Sequence, residues 1–173
     1  YRMHKAIMAF PNEAFYEEQL KAHGSVEAHS LNDLDVKVQA DEEPWIQKAI
    51  APAPVSLFLY TGNEGIEEQA PRSYSYFNAL EATCVFRLSQ ALLRAGLPAA
   101  DLGIISPYQE QVRLIKDWFD QPNHPEIKTV DGFQGREKNV ILLSFVRSNS
   151  QKQLGFLTDY RRLNVAITRA RRK

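Results

Sequence analysis

The sequence has a single cysteine, Cys84, so it cannot close an internal disulfide, and its four histidines, His4, His23, His29 and His124, show no metal-ligand spacing. A reducing, intracellular compartment, cytoplasmic or nuclear, fits that usage. No apolar run reaches the roughly 18–20 residues of a membrane helix. The best stretch, Val140 to Val146, is strand-sized and contains Ser144, so the chain is expected to be soluble with no membrane partner. There is no charge excess either: 21 Lys and Arg balance 21 Asp and Glu, and total charge names no partner. None of the eight glycines precedes a lysine, which excludes a G-x-x-x-x-G-K-[ST] phosphate loop. The chain opens on Tyr1 without a charged-then-apolar leader, which reads as a start inside something larger.

What is present suits one domain, 1–173, with 44% apolar residues to fill a core. Charge is unevenly spread. Glu13 to Glu43 holds nine carboxylates against two lysines, whereas Arg161 to Lys173 holds six cations and no carboxylate. This suggests one face meant for anions, although a solvated basic tail explains it equally.

Residues 11–54 show a helical patch from Glu13 to Ala22 and otherwise read as irregular surface structure. Val55 to Tyr60 is a β-branched and aromatic run that predicts a strand. Leu80, Cys84, Leu88 and Leu92 recur every fourth residue, with Phe77, Val85 and Leu93 in the same stripe, and predict a helix. Asn78 and Glu81 form its capping pair, and Gly96 and Pro98 its stop. Strands are then expected at Leu102–Ser106, Glu126–Val130 and Asn139–Val146, and helices at Tyr108–Phe119 and Arg161–Arg171. Strands apolar on both faces, alternating with helices, argue for an α/β doubly wound parallel sheet.

Four short segments stand out, each with a plain reading beside a chemical one. Tyr1-Arg2-Met3-His4 can be a frayed terminus. Ile105-Ser106-Pro107-Tyr108-Gln109 ends a strand before a helix; Pro107 suits a first turn, yet such edges also bind phosphates through free N–H groups. Thr129-Val130-Asp131-Gly132-Phe133-Gln134-Gly135-Arg136-Glu137 can be a hairpin turn, or a loop lying close to a polyanion or nucleotide. Leu163 to Arg171 can carry ordinary surface arginines, or hold the Arg169 guanidinium, a group suited to bidentate phosphate contact, opposite a buried helix face.

Taken together, in this order, the four segments resemble the C-terminal half of superfamily 1B helicases of the up-frameshift-like group. The resemblance extends to Ala9-Phe10-Pro11-Asn12 with Phe15-Tyr16, to Asn78 with Glu81, to Arg147 with Asn149, and to Gly155-Phe156-Leu157. It implies a RecA-like P-loop NTPase fold, here the second motor domain without its own phosphate loop. It implies an ATP-dependent 5′ to 3′ helicase in which Arg2 and Arg169 act catalytically on the γ-phosphate, and Tyr1, Gly135 and Glu137 complete the nucleotide site. Ser106, Pro107, Thr129 and Val130 would touch the backbone of single-stranded RNA or DNA. The phosphate loop and the Mg2+ ligands for ATP would come from an N-terminal RecA-like domain of the same protein, since Asp41-Glu42 follows no buried strand. A non-hydrolysing nucleic-acid-binding or interaction module with the same fold stands as the alternative.

Overall fold

The computed structural model describes residues 3–62, 64–120 and 122–173. In chain order the elements are helix α1 (Lys5–Phe15), helix α2 (Pro44–Ile50), the short strands β1 (Glu68–Gln69) and β2 (Tyr76–Phe77), helix α3 (Ala79–Arg94), strand β3 (Leu102–Ser106), helix α4 (Gln109–Lys116), strands β4 (Glu126–Thr129) and β5 (Val140–Leu143), and helix α5 (Tyr160–Ile167). β1 and β2 form an antiparallel pair. β3 lies between β4 and β5 in a parallel sheet, with Ser106 opposite Thr129 and Leu102 opposite Val140.

The sheet has this order because β3 is the strand buried throughout, and alternate residues of a strand serve opposite faces. Ile104 joins Val85, Val112, Ile115 and Ile127 under α3 and α4. Ile105 joins Val130, Phe133 and Ala166 on the side covered by α5. A further apolar cluster fastens α2 to α3 through Ile46, Ile50, Leu88 and Leu92.

Helix α3 has the ends its sequence predicts. Asn78 Oδ1 accepts from Glu81 N–H at 3.1 Å. At the other end Gly96, with φ +101°, lets Gly96 N–H reach Leu93 O and Leu97 N–H reach Leu92 O, closing the last carbonyls. The Glu81 side chain departs from the expected capping pair. It reaches instead to the segment that follows β5, where Oε2 accepts from Ser144 Oγ at 2.7 Å and Val146 N–H at 2.9 Å.

Elsewhere the structure corrects the sequence reading. The first helix is Lys5–Phe15 rather than Glu13–Ala22. Glu17 and Glu18 turn to positive φ, and the Asn12 amide clamps Leu20 by both its N–H (2.8 Å) and its carbonyl (3.1 Å), so the chain folds back. Residues 11–54 are not wholly irregular, because Pro44 starts α2 and Ile46, Ala49 and Ile50 bury one side of it. Val55–Tyr60 forms no strand. The outer edge of β5 is engaged by residues 169–173 instead: Lys138 N–H donates to Arg169 O, Arg171 N–H to Lys138 O, and Ile141 N–H to Lys173 O. Val55–Tyr60 lines an apolar cavity of about 710 Å3 together with Val140–Leu143, leaving Phe58 74% exposed.

The last helix stops at Ile167, short of Arg171. Arg169 N–H bonds Ala166 O, while its own Nε takes the Val165 carbonyl that a continuing helix would use. α4, β4 and β5 are likewise shorter at their ends than the periodicity suggests.

One polar network unites these parts. Gln111, fully buried on α4, accepts from Asn78 N–H at 2.8 Å through Oε1, and its Nε2 donates to Asn78 O (3.1 Å) and Ser144 Oγ (2.9 Å). Gln111→Ala strands these partners away from water, and the expected loss is about 2–4 kcal/mol. The exposed change Gln19→Ala should stay within about 0.5 kcal/mol. Urea unfolding midpoints measure both, and equal midpoints would show that the network does not support the fold.

Candidate functional site

The parallel strands have two ends, and the sequence-predicted residues divide between them. β3 and β4 finish side by side, so Ser106 and Thr129 are paired neighbours at the C-terminal edge. Ser106 is fully buried, and its Oγ accepts from Tyr108 N–H at 3.3 Å, shaping the turn around Pro107. Thr129 Oγ1 accepts from Gly132 N–H at 3.2 Å. Val130 is buried against Phe133, so of these four side chains Pro107 and Thr129 are the partly exposed ones.

The other end holds Gly135, Glu137 and Arg169. Gly135 has φ +79°, a conformation that favours glycine, and lies exposed in the loop entering β5. Lys138 N–H bonds Arg169 O, which brings that loop against the end of α5. The Arg169 side chain is buried rather than set on an outward helix face, with residue exposure of 9%. Its Nε donates to Val165 O at 2.8 Å, its Nη1 to Arg136 O at 3.3 Å and its Nη2 to Thr168 Oγ1 at 3.1 Å. These acceptors include the Val165 carbonyl at the negative end of the α5 dipole, a setting that favours a cation. Glu137 forms an ion pair with Arg171.

Near this end β4 begins at Glu126, which receives Arg136 Nη1 at 2.5 Å, Lys138 Nζ at 3.2 Å and Lys128 Nζ at 3.5 Å. Burial pushes the Glu126 carboxyl up, but the bond to Lys138 and the charges of Lys138 and Arg136 outweigh it and hold the carboxyl below its usual range. Arg136 stood out in the sequence only as part of the segment Thr129 to Glu137, and Lys138 did not stand out; their alternation on either side of Glu137 was the available signal.

Tyr1 and Arg2 lie outside the described residues. His4, which follows closely in the chain, donates its N–H to Arg171 O at 2.9 Å. Among the described residues no group of three or more His, Cys, Asp or Glu could hold a metal ion. No helix among them is long and apolar enough to cross a membrane.

A mixed α/β domain with a parallel sheet flanked by helices, carrying these segments at its strand ends, has the architecture of a RecA-like helicase motor domain. Residues 1–173 match the family model described as an AAA domain, and the chain belongs to this superfamily 1 helicase family, in the up-frameshift-like group. It is 43% identical over 174 residues to the DNA-binding protein SMUBP-2 of Mus musculus, covering 99% of this chain and 17% of that protein. To an uncharacterized ATP-dependent helicase of Methanocaldococcus jannaschii it is 44% identical, covering 100% of this chain and 25% of that one. To the DNA replication ATP-dependent helicase/nuclease DNA2 of Bos taurus it is 38% identical over 186 residues, covering 100% and 17%. The chain thus spans between 17% and 25% of the length of these relatives.

The start of α1 carries a pH-sensitive joint. His4 Nδ1 accepts from Ala6 N–H at 2.9 Å, which requires that nitrogen to be unprotonated. Burial, aided by Lys5 and His29, holds the His4 pKa below the ordinary value of about 6.5. The folded state therefore binds this proton less readily than the unfolded chain. The contribution of the cap is complete above about pH 6.5 and is lost as pH falls below it. Hydrogen exchange at Ala6 should accelerate, relative to its intrinsic rate, between about pH 7 and pH 5, and His4→Asn should abolish that dependence. Unchanged wild-type protection would rule out Nδ1 as the acceptor.

Proposed function

We propose that this chain is the C-terminal motor domain of an ATP-dependent 5′ to 3′ helicase acting on RNA or DNA, supplying arginines to the nucleotide and backbone contacts to a single strand. The observation that carries the reading is the division of the sheet: Ser106 and Thr129 paired at one end, Arg169 and Glu137 gathered at the other. The same division suits a motor that grips a strand on one surface and completes a nucleotide site on another. The relatives, a DNA-binding protein and ATP-dependent helicases by name, support it.

Arg169 has the character of an arginine finger. Two carbonyls and a hydroxyl are among its acceptors, and they orient the guanidinium. Phosphate oxygens are stronger acceptors for the same fork, most of all where charge grows in the transition state. Arg2 is proposed as the second such group. That assignment rests on the resemblance of Tyr1-Arg2-Met3-His4 to the family's segment. Tyr1 would pack on the base, Glu137 would accept from the ribose hydroxyls, and Gly135 would leave room for the nucleotide. Magnesium and the phosphate loop are assigned to an N-terminal RecA-like domain of the same protein.

At the C-terminal edge, Pro107 and Thr129 offer the accessible surface, while Ser106 and Val130 fix the backbone N–H groups of the two loops. Contacts of this kind read phosphate and sugar rather than bases, so binding should be largely indifferent to sequence and weaken with salt.

The isolated 173-residue chain is expected to hydrolyse no ATP, and robust turnover by highly purified protein would refute the division of labour. In the full-length parent, Arg169→Ala should lower the hydrolysis rate by about 10³-fold or more while nucleotide binding persists. Near-normal turnover in that variant removes Arg169 from the nucleotide site.

A further inference from the structure

Arg147 has no role in the reading above, yet few charged groups in the domain are so enclosed. Its side chain is 7% exposed and lies against Glu67, itself 9% exposed, with Nε 3.0 Å from Oε2. The Nε–H is not aimed at that oxygen, so the contact is an ion pair without a directed hydrogen bond. Glu67 Oε2 is satisfied separately by Ser148 N–H at 2.8 Å and Asn149 Nδ2 at 3.0 Å. The guanidinium stacks over Tyr76 at 4.4 Å, and Tyr76 meets Tyr108 edge-on with ring centres 5.7 Å apart. Tyr108 is the residue that follows Ser106-Pro107.

From the other side, the turn Gly155–Thr158 closes on the same two groups. Phe156 N–H donates to the Tyr108 hydroxyl at 3.3 Å. A Cβ built on Gly155 would lie 2.6 Å from that hydroxyl and 2.8 Å from Arg147 Nη1, and Gly155 has φ +54°, so only glycine fits there. The placement of Arg147 is itself held under strain. Val146, a β-branched residue, sits at φ +71°, fixed by Glu81 Oε2 on its N–H and Asn78 Nδ2 on its carbonyl. Strain of this kind persists where surrounding bonds over-determine the backbone, and it gathers at working parts.

Helix α5 starts immediately after this turn, capped by Asp159 Oδ1 on Arg161 and Arg162 N–H, and ends beside Arg169. Its eight residues span about 12 Å. It therefore joins the C-terminal edge of the sheet, at Tyr108, to the opposite end, at Lys138.

We propose that Arg147 is a positioning residue: stacked on Tyr76 and meeting Tyr108 at Gly155, it clamps the Ser106–Pro107 loop to the root of α5, so that a bound strand fixes the placement of Arg169 at the far end. This rests on the helicase reading and names a coupling element within it. The guanidinium is required as a plane rather than as a charge, since a lysine can pair with Glu67 but cannot stack on Tyr76 in the same way.

The test measures three quantities in the full-length parent: ATP hydrolysis without nucleic acid, its stimulation by a saturating oligo(dT) strand, and affinity for that strand by fluorescence anisotropy. Arg147→Lys and Tyr108→Phe should each reduce the stimulation about tenfold, leaving strand-free hydrolysis and strand affinity within about two- to threefold of wild type. Because both act on one clamp, the double variant should lose little more than the stronger single one. If Arg147→Lys lowers the melting temperature and all three readouts together, Tyr108→Phe decides, since it keeps the ring and removes only the hydroxyl. Undiminished stimulation in Tyr108→Phe overturns the proposal, as does full additivity of the two changes. Absence of any strand stimulation in wild type would instead overturn the helicase reading, and the coupling with it.

Discussion

The domain depends on one buried set of hydrogen bonds, that joining Asn78, Gln111, Ser144 and Glu81. Asn78 caps α3, Gln111 rides on α4, and Ser144 follows β5, so a few side chains fix two helices and a strand relative to one another. Apolar packing is non-directional and tolerates sliding. A satisfied polar network whose Asn78, Gln111 and Ser144 have near-zero exposure does not, because any displacement leaves donors or acceptors unpaired away from water. The same groups force Val146 into a left-handed backbone and thereby aim Arg147 at Tyr76. Stability and the geometry of the loops at the C-terminal edge thus share one origin.

A consequence is that the sheet acts as a plate with two unlike ends. The C-terminal edge carries loops whose side chains mostly bond their own backbone, at Ser106 and Thr129, leaving short, well-defined turns. The opposite end gathers arginines and lysines around carboxylates and carbonyls: Arg136 and Lys138 at Glu126, Arg171 at Glu137, Arg169 on the last turn of α5. The balanced total charge of the chain concealed this arrangement, since the acidic residues of 13–43 are separate in sequence from the basic cluster. Only Asp33, which pairs with Arg172, brings the two regions into contact through a salt bridge among the described residues.

Much of this was readable before any fold was known, for identifiable reasons. α3 announced itself because an apolar stripe, an asparagine cap and a glycine stop all agreed. β3 was bounded by its uninterrupted burial. The strand expected at Val55–Tyr60 failed because composition records a preference for pairing and not the availability of an edge; β5 bonds residues 169–173 instead. The end of α5 was misjudged because periodicity continues through Thr168 and Arg169, whereas their side chains take the Asn164 and Val165 carbonyls. That misjudgement turned Arg169 outward on paper when it lies folded against its own helix. The glutamate of the expected capping pair bonds Ser144 and Val146, beyond the end of β5, a long-range choice invisible to local spacing. Arg147 belongs to the residues that carry the family resemblance, but only its three-dimensional contacts with Tyr76 and Glu67 show why an arginine stands there.

The central claim is that Arg169 serves a nucleotide completed by another domain. A structure of the full-length protein with ADP and aluminium fluoride tests it most directly. The expected result is the Arg169 guanidinium within hydrogen-bond distance of the fluoride, having released the Val165 and Arg136 carbonyls. An Arg169 still bonded to both carbonyls, with the nucleotide fully enclosed and its phosphates met by other groups, would contradict it.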